Sequence, residues 1–185
     1  MDVKRLRKQL YKLDKVALTA LVEKYRLPLT AFAFTYVRDE FLAEDVVSET
    51  VVRLLLKEPK LKDESSLKAY LFSTAKNLAI DLLRKKKREK EFAGALKKTG
   101  DLEIVWFVEN SLIQKEEKKE LLKAIGGLKE EYREVLYLHY FEGMSIEDIA
   151  KTMKKSKKQI YNLLARAKKL LSNKFGKGGE QNEIE

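Results

Sequence analysis

The sequence predicts an all-α chain in which two helical domains are joined by a linker. Three observations carry this. Only two prolines, Pro28 and Pro59, occur in 185 residues. Of the eight glycines, five lie between positions 94 and 100 or after 175, so little else interrupts helix. Apolar residues recur at three- and four-residue spacing, and no alternation of period two persists beyond a few positions. The expected layout is a domain over 1–90, a linker over 91–117, a domain over 118–175 and a disordered tail over 176–185.

The first helical pattern starts at Leu18 and recurs at positions 21, 22, 25, 29, 32, 33 and 36. Pro28 falls inside it and is expected to kink or split the helix. Before it, Val3, Leu6, Leu10 and Leu13 could form a further turn or two packing back. A second helix spans about Glu40 to Lys57, with Leu42, Val46, Thr50 and Leu54 in line, and stops before Pro59. Residues 58–66 form a polar connection in which Ser65 or Ser66 is a good N-cap. The next helix carries Leu67, Leu71, Ala75, Leu78 and Leu82 and ends in the basic run Arg84–Arg88. Residues 89–117 lose the period, and their apolar island Ile104–Val108 reads as a segment that docks somewhere.

Composition narrows the function. There is no cysteine, which excludes disulfides, zinc–thiolate sites, iron–sulfur clusters and a thiol nucleophile, and fits a reducing, cytoplasmic setting. The single histidine, His139, removes paired-histidine catalysis and multi-histidine metal sites; it is expected to be a packed or half-exposed ring. No paired carboxylates or Gly-rich phosphate loop stand in a recognisable setting, so no enzyme, cofactor or metal is expected. The longest apolar run is five residues, too short to span a membrane, and the N-terminus lacks the features of a secretory signal.

The net charge of +10 bears on partners, and its distribution says more than its total. Residues 151–175 hold nine basic side chains and no acid, 84–90 hold six basic and one acidic, and 39–52 hold five acids and no base. Within the last domain, Ser145 and Asp148 form a capping-box-like start to a short helix, Ile146–Met153. The turn Lys154-Lys155-Ser156 follows, then a helix from Lys157 to about Asn173. Two helices so joined make a helix-turn-helix. Ile160, Leu163, Leu164, Ala167 and Leu171 can face the core, leaving Lys157, Lys158, Tyr161, Asn162, Ala165 and Lys168 for solvent or DNA. Lys157 and Lys158 stand against the dipole at a helix N-terminus, which points to an anionic partner.

Leu121–Leu128, Tyr132–Leu138, Phe141–Ala150 and Arg166–Leu170 together resemble region four of bacterial RNA polymerase sigma factors. Ala43–Thr50 resembles region two of the same family, and Ala69-Tyr70-Leu71, Ala75–Asn77 and Asp81–Arg84 resemble its DNA-opening segment. Order, spacing and length are similar to the short extracytoplasmic-function type of the sigma-70 family, over roughly 14–90 and 118–173. The resemblance implies a promoter-specificity subunit of the polymerase that directs promoter recognition, DNA melting and transcription initiation. Glu44, Asp45, Ser48, Glu49 and Arg53 would bind core polymerase, whose largest-subunit clamp and second-largest-subunit flap are the implied contacts. Lys60, Lys62, Asp63 and Ser65, in the loop 58–66, would receive a base flipped from the −10 element. Tyr70, Asn77, Arg84, Lys85 and Arg88 would hold the separating strands. Ser156, Lys157, Lys158, Gln159, Tyr161, Asn162 and Arg166 would read or grip the −35 element. The linker would thread toward the RNA exit path, and an anti-sigma protein is a further candidate partner.

The chain departs from the family where Tyr70 replaces a usual tryptophan, Ser48 a common glutamine, Lys154 a common glycine and Leu163 a frequent basic residue. The first dozen residues look like an extension. The alternative is a stand-alone helix-turn-helix regulator of duplex DNA, which accounts for 145–173 but not for the acidic helix or the aromatic, basic one. A basic membrane-surface protein is a third class, disfavoured because the basic faces lack Trp and Phe.

Overall fold

The computed structural model describes residues 10–12, 14–93, 124–125 and 127–176. Among these, every regular element is helical. In chain order they are α1 (Lys15–Val37), α2 (Glu40–Lys57), α3 (Glu64–Ala93), α4 (Glu130–Leu136) with a π-helical continuation (Tyr137–Phe141), α5 (Ile146–Met153) and α6 (Lys157–Gly176). The chain divides into two compact units, 1–103 and 104–185. Most of the expected linker, including Trp106 and the rest of Ile104–Val108, lies outside the described residues, as do Val3, Leu6, Leu13 and the tail after Gly176. α3 reaches Ala93, three residues into the range expected for the linker.

In the first unit each helix begins on a side-chain cap. The Asp14 carboxylate accepts the Ala17 N–H at 2.9 Å, and Asp39 accepts the Leu42 N–H at 3.0 Å. α1 runs through Pro28 as one helix rather than splitting there. Proline removes an amide donor and crowds the preceding turn, at a cost of about 3 kcal/mol. Every position from Leu29 to Val37 is buried. At roughly 1.5–3 kcal/mol for each large apolar side chain, Leu29, Phe32 and Phe34 more than offset that cost.

The start of α3 corrects the expected cap at Ser65 or Ser66. The helix opens at Glu64, where Asp63 Oδ1 accepts the Ser66 N–H at 2.8 Å and Ser66 Oγ accepts the Asp63 N–H at 3.1 Å. Ser66 is thus the reciprocal partner of a capping box whose cap is Asp63. Glu64 then sits in the first turn, where the helix dipole favours an acid.

The core of this unit centres on Phe32 of α1 and Phe72 of α3. Both are 0% exposed, and they meet edge to face at 5.0 Å and 77°. Leu21, Leu29, Val46, Leu54, Leu67 and Leu71 are buried in the same unit. On α2 the buried line is Ala43, Val46, Val47, Thr50 and Leu54, with Leu42 only half-buried. Leu10 is buried as well.

The second unit gathers Val135, Leu138, Ile149, Ile160 and Ala167 at its centre. Helical periodicity through Tyr132–Leu138 does not anticipate the π turn that follows. There Glu142 donates its N–H to the Tyr137 carbonyl at 3.3 Å, a five-residue span. The Tyr137 and Phe141 rings stack at 5.1 Å and 5°. Burial, followed by the Glu142 charge, raises the Tyr137 hydroxyl well above its ordinary pKa and keeps it neutral. His139 is half-buried, with its ring edge-on to Tyr140 at 4.9 Å.

Two positive-φ residues bracket α5: Gly143 at 59° and Lys154 at 54°. A side chain in this conformation costs about 1–2 kcal/mol, which glycine avoids at some entropic cost of its own. Lys154→Gly should therefore stabilise the chain by roughly 0.5–1 kcal/mol, and Gly143→Ala should destabilise it by about 1–2 kcal/mol. Urea denaturation of the two variants checks the opposite signs; changes of the same sign would refute the backbone account.

Candidate nucleic-acid interface

The helix-turn-helix forms as read, with α5 and α6 joined by Lys154–Ser156. Ser145 Oγ accepts the Asp148 N–H at 3.1 Å and starts α5. Asp148 is one carbon shorter than the usual glutamate, and its Oδ2 takes the Ser145 hydroxyl at 2.6 Å. Along α6, Ile160, Leu164, Ala167 and Leu171 are buried and Leu163 is half-buried.

The structure separates the seven residues expected to meet the −35 element into two groups. Ser156 Oγ accepts the Gln159 N–H at 3.3 Å, and Gln159 Oε1 accepts the Ser156 N–H at 2.8 Å. These two side chains therefore cap α6 reciprocally. Lys157 pairs with Glu147 of α5. The hydrogen bond from Lys157 lowers the Glu147 pKa, and the same bond raises that of Lys157. The pair stays charged between the ordinary values of 4.5 and 10.5, failing only in more acid or more alkaline solution. Lys157 thus has an anion within its own chain, so its place against the dipole does not by itself require an external one. Lys158, Tyr161, Asn162 and Arg166 are exposed. At 100° per residue they share one face with Ala165 and Lys169.

In the first unit α3 is continuous for 30 residues. Tyr70, Asn77, Arg84 and Arg88 fall within about 40° of one line along it, and the last three are exposed. Tyr70 is half-buried, and its hydroxyl donates to the Arg53 carbonyl at 3.3 Å. Lys85 is exposed beside this line, Arg84 lies 3.6 Å from Asp81, and Lys86 turns to Asp39 at 3.9 Å.

The connection expected over 58–66 ends at Asp63: it exposes Lys60, Lys62 and Asp63 while Leu61 is buried, and Ser65 is exposed in the first turn of α3. Glu64, not among the expected site residues, takes a hydrogen bond from Lys24 and one from the Tyr25 hydroxyl at 3.3 Å. The Lys24 bond is the main cause that lowers the Glu64 pKa. Because the folded value is depressed, this tie is present above about pH 4.5 and is lost as the solution becomes more acid.

On α2, Asp45, Ser48 and Glu49 are exposed. Glu49 binds Arg53 Nε at 2.9 Å, and Glu44 binds Arg26 at 3.1 Å. Sequence reasoning overlooked three apolar neighbours on the outer face: Phe41 at 81% exposure, Leu56 at 79% and Val52 at 45%. Their spacing places them with Asp45 and Ser48, opposite the buried line, and that was the available signal. Among the described residues no cluster of acids and histidine could hold a metal ion, and no helix is long and apolar enough to cross a membrane.

A helical unit with an acidic face and a basic track, followed by a helix-turn-helix unit, defines a DNA-binding protein equipped to meet a second macromolecule. Residues 21–89 match the family model of Sigma-70 region 2, and residues 118–171 match that of Sigma-70, region 4. The ECF RNA polymerase sigma factor SigM of Bacillus subtilis is 28% identical over 158 residues, covering 85% of this chain and 94% of that protein. The sigma factor SigX of the same organism is 28% identical over 154 residues, covering 82% and 79%. The sigma factor RpoE of Bartonella quintana, solved with the anti-sigma factor NepR, shares the fold at a TM-score of 0.65 and 24% identity, covering 83% and 95%. The chain belongs to the sigma-70 family of RNA polymerase sigma factors, as a member of its extracytoplasmic-function (ECF) type. It binds core RNA polymerase and promoter DNA and directs promoter recognition, DNA melting and transcription initiation. A stand-alone regulator would leave the match over 21–89 without a role.

If Lys157 is neutralised by Glu147, releasing it should strengthen contact with phosphate. Glu147→Gln is expected to tighten −35 duplex binding and steepen its salt dependence by up to about one unit. Lys158→Gln should lower the slope by about one unit, and Lys157→Gln by less. Titrations at several salt concentrations decide this; equal slopes for the two lysine variants would contradict the pairing.

Proposed function

We propose that the functions of this sigma factor are divided among four surfaces. The outer face of α2 docks on core polymerase, with Asp45, Ser48 and Glu49 supplying polar contacts and Glu44 and Arg53 holding the ion pairs beside them. The clamp of the largest subunit is its partner, and Phe41, Val52 and Leu56 add apolar area to the same contact. The flap of the second-largest subunit meets the second unit. The loop 58–66 takes an unstacked −10 base through Lys60, Lys62, Asp63 and Ser65. The line Tyr70, Asn77, Arg84 and Arg88, with Lys85 beside it, carries the opened strand. On α6, Lys158, Tyr161, Asn162 and Arg166 face the −35 major groove, while Ser156, Lys157 and Gln159 set how the helix enters it.

The single observation that carries this reading is the continuity of α3. It joins an exposed polar loop, an aromatic ring and a basic run along one face, with about 27 Å from Tyr70 to Arg88 at 1.5 Å per residue. Duplex recognition alone requires no such track. Bond formation belongs to the polymerase, and this protein supplies recognition and strand opening. It works in the cytoplasm with the polymerase, and an anti-sigma protein is a candidate regulator, as solved for the Bartonella quintana factor.

Two experiments test the division. Glu44→Lys combined with Asp45→Lys should abolish association with core polymerase at moderate salt. The Arg26 pair lost with Glu44 is exposed and worth about 0–1 kcal/mol, so helix content should hold. Undiminished association would remove α2 from the docking surface.

Tyr70→Ala should suppress permanganate reactivity of promoter thymines with core polymerase present, because base stacking on an aromatic contributes about 1–3 kcal/mol. Binding to −35 duplex should be unchanged. Tyr70→Phe loses only a long hydroxyl contact to Arg53 and should open DNA nearly as well. Full reactivity in the alanine variant would place strand opening elsewhere.

A further inference from the structure

The loop 58–66 is held from outside the three-helix core. Leu10 is 1% exposed, and its neighbour Tyr11 donates its hydroxyl hydrogen to the Pro59 carbonyl at 2.7 Å, across 48 residues of sequence. The same carbonyl accepts the Leu61 N–H at 2.9 Å. Two donors on one oxygen fix the reversal of the chain between Pro59 and Leu61. That reversal sends Leu61 into the core and leaves Lys60 and Lys62 exposed on either side. Beyond it, the Asp63–Ser66 box and the Lys62 N–H bond to Ser66 Oγ at 2.9 Å hold the second half of the loop.

We infer that Tyr11 is a positioning residue for base capture: its hydroxyl holds the Pro59 carbonyl and thereby sets where Lys60, Lys62 and Ser65 meet the edge of an unstacked base. The inference rests on the reading of 58–66 as the capture loop. The physical reason is pre-organisation. A loop already ordered loses little conformational freedom when a base arrives, whereas an unanchored one must be ordered at that moment. Glu58 ends α2 at a φ of 42°, a conformation unfavourable for a side chain, so the loop enters its reversal from a strained residue and benefits from an external tie. Tyr11, within what reads from the sequence as an extension, thus acquires a role in the function of the first unit.

The test uses the full chain bound to core polymerase and single-stranded DNA carrying the −10 element of a promoter that it transcribes. Each position of the element is replaced in turn by an abasic site. The captured base is the position at which removal weakens binding most. Tyr11→Phe, which keeps the ring and removes the hydroxyl, should shrink that penalty by about threefold to tenfold, the usual reach of one neutral hydrogen bond. Penalties at other positions, core association and −35 duplex binding should stay as in the wild type, and the thermal unfolding midpoint should fall by no more than the few degrees that one hydrogen bond contributes.

Lys62→Ala with Ser65→Ala serves as the control on the loop itself. If the loop variant loses the penalty and Tyr11→Phe keeps it, the positioning role is refuted while the loop reading stands. If the loop variant also keeps it, the loop reading fails and the inference falls with it. A Tyr11→Phe protein weakened equally at every position, with a lowered midpoint, would show a general stabilising contact and overturn positioning.

Discussion

The contact of Phe32 with Phe72 fixes the direction in which the first unit presents itself. An edge-to-face aromatic pair contributes roughly 0.5–1.5 kcal/mol beyond the area it buries, and both of these rings are fully removed from solvent. Its larger consequence is rotational. A helix advances 100° per residue, so once Phe72 points inward the direction of every other residue of α3 is set. Tyr70 is then left at the edge of the core, with Asn77, Arg84 and Arg88 outside it. Turning α3 by one residue would expose Phe72 and redirect the whole basic track. The same core settles α2: Val46, Thr50 and Leu54 face inward, so Phe41, Asp45, Ser48, Val52 and Leu56 must face out.

A second constraint governs the helix starts. The chain is strongly basic, yet α6 begins with two lysines and no acid in its first turn. Exposed amides and cations together make that end unfavourable. The conflict is relieved within the unit, by the Ser156–Gln159 box and by Glu147 against Lys157. Glu147 is itself well placed, since it lies in the first turn of α5. One carboxylate thus favours the dipole of one helix while screening a cation at the start of the next. The exposed face of α6 that the proposal turns toward DNA begins with Lys158 and continues one turn further on.

How much of this was legible in the sequence depends on the range of the interaction. Helix bounds set by local signals read well: α2 spans Glu40–Lys57, and α5 and the start of α6 lie where Ser145 and Ser156 place them. Pro28 reads as a break because its local penalty is visible, whereas the burial of Leu29–Val37 that offsets it is tertiary. The cap of α3 was misplaced because Asp63, Ser65 and Ser66 all offer oxygens, and only geometry chooses among them. Gln159 shows a different difficulty. The Ser-x-x-Gln spacing of a capping box was present, but glutamine is also a reader of adenine, and one side chain cannot be assigned both tasks from its type alone. The Glu147–Lys157 and Tyr11–Pro59 contacts join residues ten and 48 positions apart, and no periodicity encodes such pairings.

These restraints bear directly on how a sigma factor can open DNA. Unstacking and flipping a base costs a few kcal/mol, while a single stacking contact returns about 1–3 kcal/mol. No one residue of the first unit meets that cost with much to spare, so several must act together. Acting together is favourable only if they are already in place, since ordering a residue's backbone costs about 1–2 kcal/mol. α3 satisfies this condition by being one helix, capped by Asp63 and Ser66, tied to α1 through Glu64 and to the start of α2 through Lys86. The exposed ion pairs add little to stability individually. On the proposed division of surfaces, they help keep the loop, the ring and the basic run in one frame, so that the free energy of each DNA contact goes into opening the duplex instead of ordering the protein.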